Sequence, residues 1–583
     1  MNIFRDLPQA LQGDMLDKLD ASLLSGRIGR RHFLQWSAAL GVSLAAARAA
    51  ADELDTARAN QDARAKDLAG EYDYIVCGGG TCGCTLAGQL AEAGLKVLLI
   101  EAGDWDTAPS VLDPKQWFMN LGTERDWNDV AVPSPSVNGR AIPSHMGHVL
   151  GGGSSINATI WVRGHRNNYD GWAEAAGDPA WGYDNALAIF KRVENWQGAP
   201  SKYRGTGGKI WSQPAFEPPP VAPALLEAVK SLGMPVYDDL NGAREESAGG
   251  FALMNQIIKD GRRVSMARAC LYPELARPNL TVLTKTRADR LLFEGNRVVG
   301  VEINQSEGSR TLRAAREVIL TLGAIRSPKI LMLSGIGDRA DLAEKDIAVN
   351  VHLPEVGRNF HDHILHGGCL WESPEPIAYT NSAANASGFW KSDASLDTPD
   401  LNIVQIELPY ASEVVAKQYA PPASSWALCA GLVGPKSRGT VRLASAKPAD
   451  APIVDARFLE HPDDVKALKV GIDLCRKLGN AAPMKPFAKR EVAPGRDLED
   501  VAKANFIRDG ATTFFHQVGT CRMGKDDASV VDAKLRVRGV EGLRVSDGSI
   551  MPKISSCATM ASCVFIAERM ADMLLNRESH SSL

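Results

Sequence analysis

The chain has 583 residues, 45% of them apolar and 23% charged, and its 65 basic and 69 acidic side chains leave a net charge of −4. A length well beyond the roughly 250 to 300 residues at which a single core stops growing predicts more than one domain. The balanced charge excludes the basic footprint of a nucleic-acid binder, and ten cysteines scattered over this length exclude a disulfide-stapled scaffold or a ligand-spaced zinc site.

In chain order, GRIGRRHFLQWSAALGVSLAAARAAADELD sets Arg30 and Arg31 before Phe33 and Leu34, then an alanine-rich apolar stretch and small residues at Ala49, Ala50 and Ala51. This pattern predicts a twin-arginine export signal over residues 1–50 and a periplasmic protein that loads its cofactor before export; without export the location would be cytoplasmic. The stretch is too short and too alanine-rich for a membrane span, and no later segment approaches one. A polar, helix-prone linker is expected over 51–69. EYDYIVCGGGTCGCTLAGQLAEAGLKVLLIEAG then reads as strand, tight turn, helix and buried strand, one βαβ unit.

Within that unit Gly78, Gly80 and Gly83 form G-x-G-x-x-G, directly after a strand and opening a helix at Thr81 and Cys82. Acidic Glu101 ends the next strand, 18 residues after Gly83. The glycines allow a tight turn and close approach of a pyrophosphate, the helix start offers free N–H groups, and Glu101 can accept from ribose hydroxyls. The pattern specifies an ADP moiety, common to FAD and NAD.

Further along, Val318–Leu322 reads as a strand running into Gly323 and a helix, and LRVSDGSIMP supplies another strand before a closing helix from Ala558 to about Leu575. Between these lie irregular Pro-rich stretches at Ser212–Pro223 and Tyr419–Trp426 and a strand-rich section around Leu401–Arg442. The predicted architecture is α/β: a doubly wound, Rossmann-like cofactor domain (70–165, 225–340 and 511–583) interrupted by a substrate domain (166–224 and 341–510).

GHVLGGGSSINATIWVRGHRNNYD at Gly147–Asp170 and GAIRSPKILMLSGIG at Gly323–Gly337 resemble the two signature motifs of the glucose-methanol-choline (GMC) flavoprotein oxidoreductases, and FFHQVGTCRMG at Phe514–Gly524 is similar to the family's catalytic-histidine segment. The resemblance runs from about Tyr72 to the end. It implies FAD as cofactor and a substrate domain built on an antiparallel sheet. It further implies that Gly153, Ser154 and Asn157 approach the flavin and pyrophosphate, that the Ala288 backbone meets adenine, and that Asp547 and Gly548 sit by the pyrophosphate. His148 stands where members usually carry Arg, Lys or Asn, and Ile156 stands where some relatives tether FAD through a histidine, which points to non-covalent FAD.

The implied reaction is oxidation of a primary alcohol to the aldehyde. It needs a base to take the hydroxyl proton while the carbinol hydride passes to flavin N5, and His516 resembles the family base. The family's second His or Asn matches Ala558, and no His or Asn occurs between Ser549 and Leu575. Either His516 works alone, helped by Gln517, Thr559 or water, or the space admits a bulky or aromatic alcohol. The alternative is non-oxidative chemistry of the lyase or photodecarboxylase type, or flavin binding without turnover. Oxygen, a quinone or a periplasmic carrier are all open as acceptor. His361, His363 and His366 imitate a metal cluster, but Asp362 and His363 fall in a stretch resembling the family's N-L-x-D-H, so no metal is expected.

Overall fold

The computed structural model describes residues 56–57, 59–306 and 308–577, and the predicted export signal lies outside them. Helical residues 59–66 are not a free linker. Gln61 is buried and donates to the carbonyls of Leu275 (2.8 Å) and Leu280 (3.2 Å), while its own oxygen accepts from Val282 N at 2.9 Å. A buried amide that completes the edge strand's hydrogen bonds overrides the polar look of the segment.

Five parallel strands form the heart of the first sheet, in the spatial order Leu280–Leu283, Val97–Ile100, Glu71–Cys77, Gly308–Leu320 and Leu543–Val545. Numbered along the chain the order is 3-2-1-4-5, which reverses direction at the first strand. That switch point is where a doubly wound sheet opens a crevice at its carboxyl edge. The strand Gly308–Leu320 is longer than the sequence indicates because its first half belongs to an antiparallel meander with Arg287–Glu294 and Arg297–Gln305. Val97–Ile100 and Val318–Leu320 have almost no exposed surface, as expected for strands covered on both faces.

The second sheet is antiparallel throughout, in the order Arg490–Ala493, Ile364–Glu372, Ser425–Leu432, Leu401–Ile406, Ala386–Trp390 and Gly250–Leu253, with Ala511–Thr513 paired to Ile364–His366. Alternation decides its two faces. Along Leu401–Ile406, Leu401 and Ile403 join the core beneath helix Pro462–Gly479, whereas Asn402, Val404 and Ile406 turn toward a cavity between the two sheets. The stretch Ser212–Pro223, expected to be irregular, is ordered at both ends: Ile210–Pro214 is a strand, and helix Val221–Ser231 begins inside the Pro-rich run. Pro223 sits in that helix's first turn, where a missing N–H costs nothing.

Candidate active site

A cavity of about 470 Å³ runs from the carboxyl edge of the parallel sheet to the inner face of the antiparallel one. It brings together Gly78, Gly80, Thr81, Cys82, Glu101, Gly153, Ser154, Asn157, Ala288, His516, Asp547, Gly548, Ala558 and Thr559. Of the catalytic and cofactor-binding residues predicted from the sequence, Gly83 alone does not line it, and His148, singled out for the local charge near the cofactor, lies outside the lining too. A Cβ on Gly83 would lie 1.8 Å from Gly78 O, so its part is the packing of helix against turn.

At the sheet end, helix Thr81–Glu92 begins without a side-chain cap, which leaves its first N–H groups for an anion. The loop ending in Gly152 (φ +53°) folds over it so closely that a Cβ on Gly152 would meet Gly80 Cα at 2.7 Å. Glu101 accepts from Gly79 N (2.8 Å) and Gly103 N (2.7 Å), and burial pushes its carboxyl up to about 7. It therefore braces the turn and keeps one further lone pair on each oxygen for a ribose hydroxyl. Asp547 is similarly committed: it accepts from Gly323 N, Ser327 Oγ and Ser549 N at 2.9, 2.6 and 2.8 Å, tying the last strand to helix Gly323–Leu333. Asn157 Oδ1 accepts from buried Arg263 Nη1 at 2.7 Å, a contact invisible in the sequence because 106 residues separate the two. The His148 ring lies tilted by 40° against Trp127, centroids 4.2 Å apart, and burial, followed by the nearby Arg326 charge and opposed by its bond to Glu124 O, lowers its basicity. Positive charge here comes from Arg326, which lies 3.5 Å over the Trp127 ring and is paired with Asp129.

At the other end, three segments converge. Thr513 pairs with Ile364, so the two strands bring His363 and the turn after Thr513 side by side. Asp362 is buried, accepts from His516 N at 2.8 Å and from the Thr513 hydroxyl, and fixes a turn in which Phe515 holds φ +64°. Burial pushes Asp362 up to about 7 and His516 down to about 3, although one face of the His516 ring lines the cavity. A neutral ring keeps a lone pair for a proton, the first requirement of a base. His516 Nδ1 is 2.9 Å from His363 Nδ1, with the two rings nearly perpendicular at 85°. Helix Thr559–Leu574 opens at Ala558, again without a side-chain cap, and points its first N–H groups at the same space.

The histidines of the 361–366 stretch go separate ways. His363 meets His516, His366 Nε2 pairs with Phe506 O at 3.1 Å, and His361 bridges Asn359 O and Ile554 N at 2.6 and 2.9 Å. Among the described residues no group of three His, Cys, Asp or Glu could hold a metal ion. Burial first, then the Arg438 charge, pushes His361 down to about 3 from an ordinary 6.5. The unfolded chain takes the proton first, so the stability this ring contributes is complete above pH 6.5 and is lost as pH falls toward 3, at about 1.4 kcal/mol per pH unit. The stability gap between wild type and His361→Gln, measured by denaturant unfolding at pH 7 and pH 5, is expected to shrink by roughly 2 kcal/mol. An unchanged gap would mean that the ring is not held neutral.

Two family models, both described as GMC oxidoreductase, match the chain over residues 72–365 and 435–567. The chain belongs to the GMC oxidoreductase family. It is 36% identical over 545 residues to an alcohol dehydrogenase (acceptor) of Pseudomonas putida, covering 88% of this chain and 97% of the relative. It is also 36% identical over 543 residues to an oxygen-dependent choline dehydrogenase of Brucella anthropi, covering 87% and 96%. The crystal structure of pyridoxine 4-oxidase from Mesorbium loti superposes with a TM-score of 0.83 at 32% identity, over 87% of this chain and 99% of that one. As in the rest of the GMC family, FAD is the cofactor, and the residues present fit it: two glycine loops closed to backbone contact, uncapped helix starts and a buried acid at the sheet edge leave one elongated space between them.

Proposed function

We propose that this GMC oxidoreductase oxidises a neutral primary alcohol, aromatic or otherwise bulky, to its aldehyde. FAD supplies the hydride acceptor and is held non-covalently, since Ile156 presents no nucleophile to it. The observation that carries the substrate reading is the chemistry of the cavity beyond His516. Its walls there are mainly Phe389, Val404, Ile406, Val433, Phe514 and Met254, the polar Asn402 among them donates to Ser387 Oγ and Gly388 O, and the carboxylates that line the cavity, Glu101, Asp129 and Asp547, are bound to backbone amides or to Arg326. Apolar walls favour a hydrocarbon or aryl group by about 25 cal/mol per Å² removed from water, whereas a quaternary ammonium would enter without a carboxylate partner. The absence of a polar side chain at Ala558 enlarges this end.

His516 takes the hydroxyl proton on the ring nitrogen that faces the cavity. Asp362 sets the backbone of His516, and the uncapped start of helix Thr559–Leu574 favours negative charge developing near it. The test is anaerobic mixing of the purified yellow protein with a panel of alcohols, followed by readmission of air to read the acceptor. Bleaching of the flavin by benzylic or long-chain primary alcohols and none by choline is expected. Bleaching by choline alone, or by no alcohol, would overturn the proposal.

A further inference from the structure

Ala558 leaves the slot at the start of the closing helix without a polar side chain, and the structure assigns that work elsewhere. We propose that His363 is the positioning partner of His516, fixing which of its nitrogens faces the alcohol and sharing the charge once the proton arrives. The inference rests on the alcohol oxidation proposed above, but its central element, the tautomer of His516, does not require turnover.

Two imidazole nitrogens 2.9 Å apart must share one hydrogen, because two bare lone pairs repel and two N–H groups collide. The surroundings of His363 decide who holds it. Its ring is fully buried, the carbonyls of Ser555 and Val433 lie beside it, and with Nδ1 taken by His516 they are left to Nε2, which has no partner in good hydrogen-bond geometry. A nitrogen facing carbonyl oxygens in a dry interior is favoured as N–H and disfavoured as a bare lone pair. His363 therefore carries its hydrogen on Nε2 and accepts at Nδ1. His516 in turn donates from Nδ1, and its Nε2 is left bare toward the cavity. In the reaction the substrate O–H bond breaks, its proton forms an N–H bond at His516 Nε2, and the positive ring so formed keeps its Nδ1–H on the His363 acceptor.

No neighbouring charge competes for that role. Asp362 is occupied by His516 N and Thr513, His361 is bonded to Asn359 O and Ile554 N, and His145, across the Phe515 ring, is paired with Asp126. The polar partner missing at Ala558 on the closing helix is thus replaced from the antiparallel sheet, 153 residues before His516, and on the proton-accepting side of the reaction.

The test compares His363→Ala with His363→Asn, whose side-chain oxygen can stand where Nδ1 stood. In holoenzyme carrying ring ¹⁵N-labelled histidine, the His516 signals are recognised by their loss in His516→Ala. Wild type is expected to show Nδ1 protonated and Nε2 bare, His363→Asn the same, and His363→Ala a mixture of tautomers. With the alcohol found by the panel, kcat is expected to fall at least 10-fold in His363→Ala at little-changed KM and flavin content, and to recover most of that loss in His363→Asn. A hydrogen on His516 Nε2 in wild type would overturn the proposal even if no alcohol were ever turned over. So would an unchanged tautomer and rate in His363→Ala.

Discussion

Replacing His516 by alanine is expected to slow alcohol-driven flavin reduction by about 10² to 10⁴, the usual contribution of a positioned general base, while the protein stays yellow. Cofactor retention follows from the geometry: the glycine loops and uncapped helix starts that fit FAD are built from other segments. The backbone of residue 516 also keeps its hydrogen bond to Asp362 when the ring is removed, so the turn persists. Anaerobic stopped-flow at 450 nm measures the rate, and the ratio of flavin to protein absorbance measures loading. A variant that reduces its flavin at nearly the wild-type rate would remove His516 from the reaction, and one that loses both flavin and rate would show it to be a structural residue instead.

A methyl group at Gly80 and one at Gly83 are expected to fail differently, although both complete the same motif. At Gly80 the nearest protein atoms to an added Cβ are 4.0 Å away, and the backbone, with φ −76°, accepts an L side chain. Gly80→Ala should fold normally and purify colourless, because the methyl enters the space the pyrophosphate needs. At Gly83 the Cβ would fall 1.8 Å from Gly78 O and 2.9 Å from Thr321 Oγ1, and a backbone carbonyl cannot swing aside. Gly83→Ala should therefore melt lower than cofactor-free wild type, by an overpacking penalty of roughly 1–3 kcal/mol or more, besides losing FAD. Flavin content and thermal unfolding of the two variants, each against stripped wild type, read the difference. Equal melting curves, or full flavin content in Gly80→Ala, would contradict the division of labour between lining and packing.

Much of the cofactor half is legible in the sequence because it depends on local rules. A strand, a glycine turn and a helix follow one another within 22 residues, from Glu71 to Glu92, and their order alone predicts where a phosphate would fit. The substrate half obeys longer-range rules. His363 and His516 meet only because Ile364 pairs with Thr513, and nothing in either neighbourhood of the sequence announces the register. The three histidines at 361, 363 and 366 carry a misleading local pattern, since proximity along the chain says nothing about which carbonyl or ring each will find once the strand turns. Arg263 behind Asn157 and Gln61 on the sheet edge are hidden for the same reason: a buried polar side chain looks like a surface one until its partner is folded against it. Ala558 is legible as an absence; its remedy is not.

The 3-2-1-4-5 strand order has a consequence for how the molecule is made. The first strand of the parallel sheet is finished near residue 77, yet its outermost neighbour beyond Gly308–Leu320 is Leu543–Val545, and the helix that caps the cofactor space starts at Thr559. A ribosome must therefore release nearly the whole chain before the cradle exists, and contacts of such separation form slowly. Because the segments that fit FAD come from both early and late parts of the chain, FAD that binds the complete cradle stabilises their association by mass action, as a latch would.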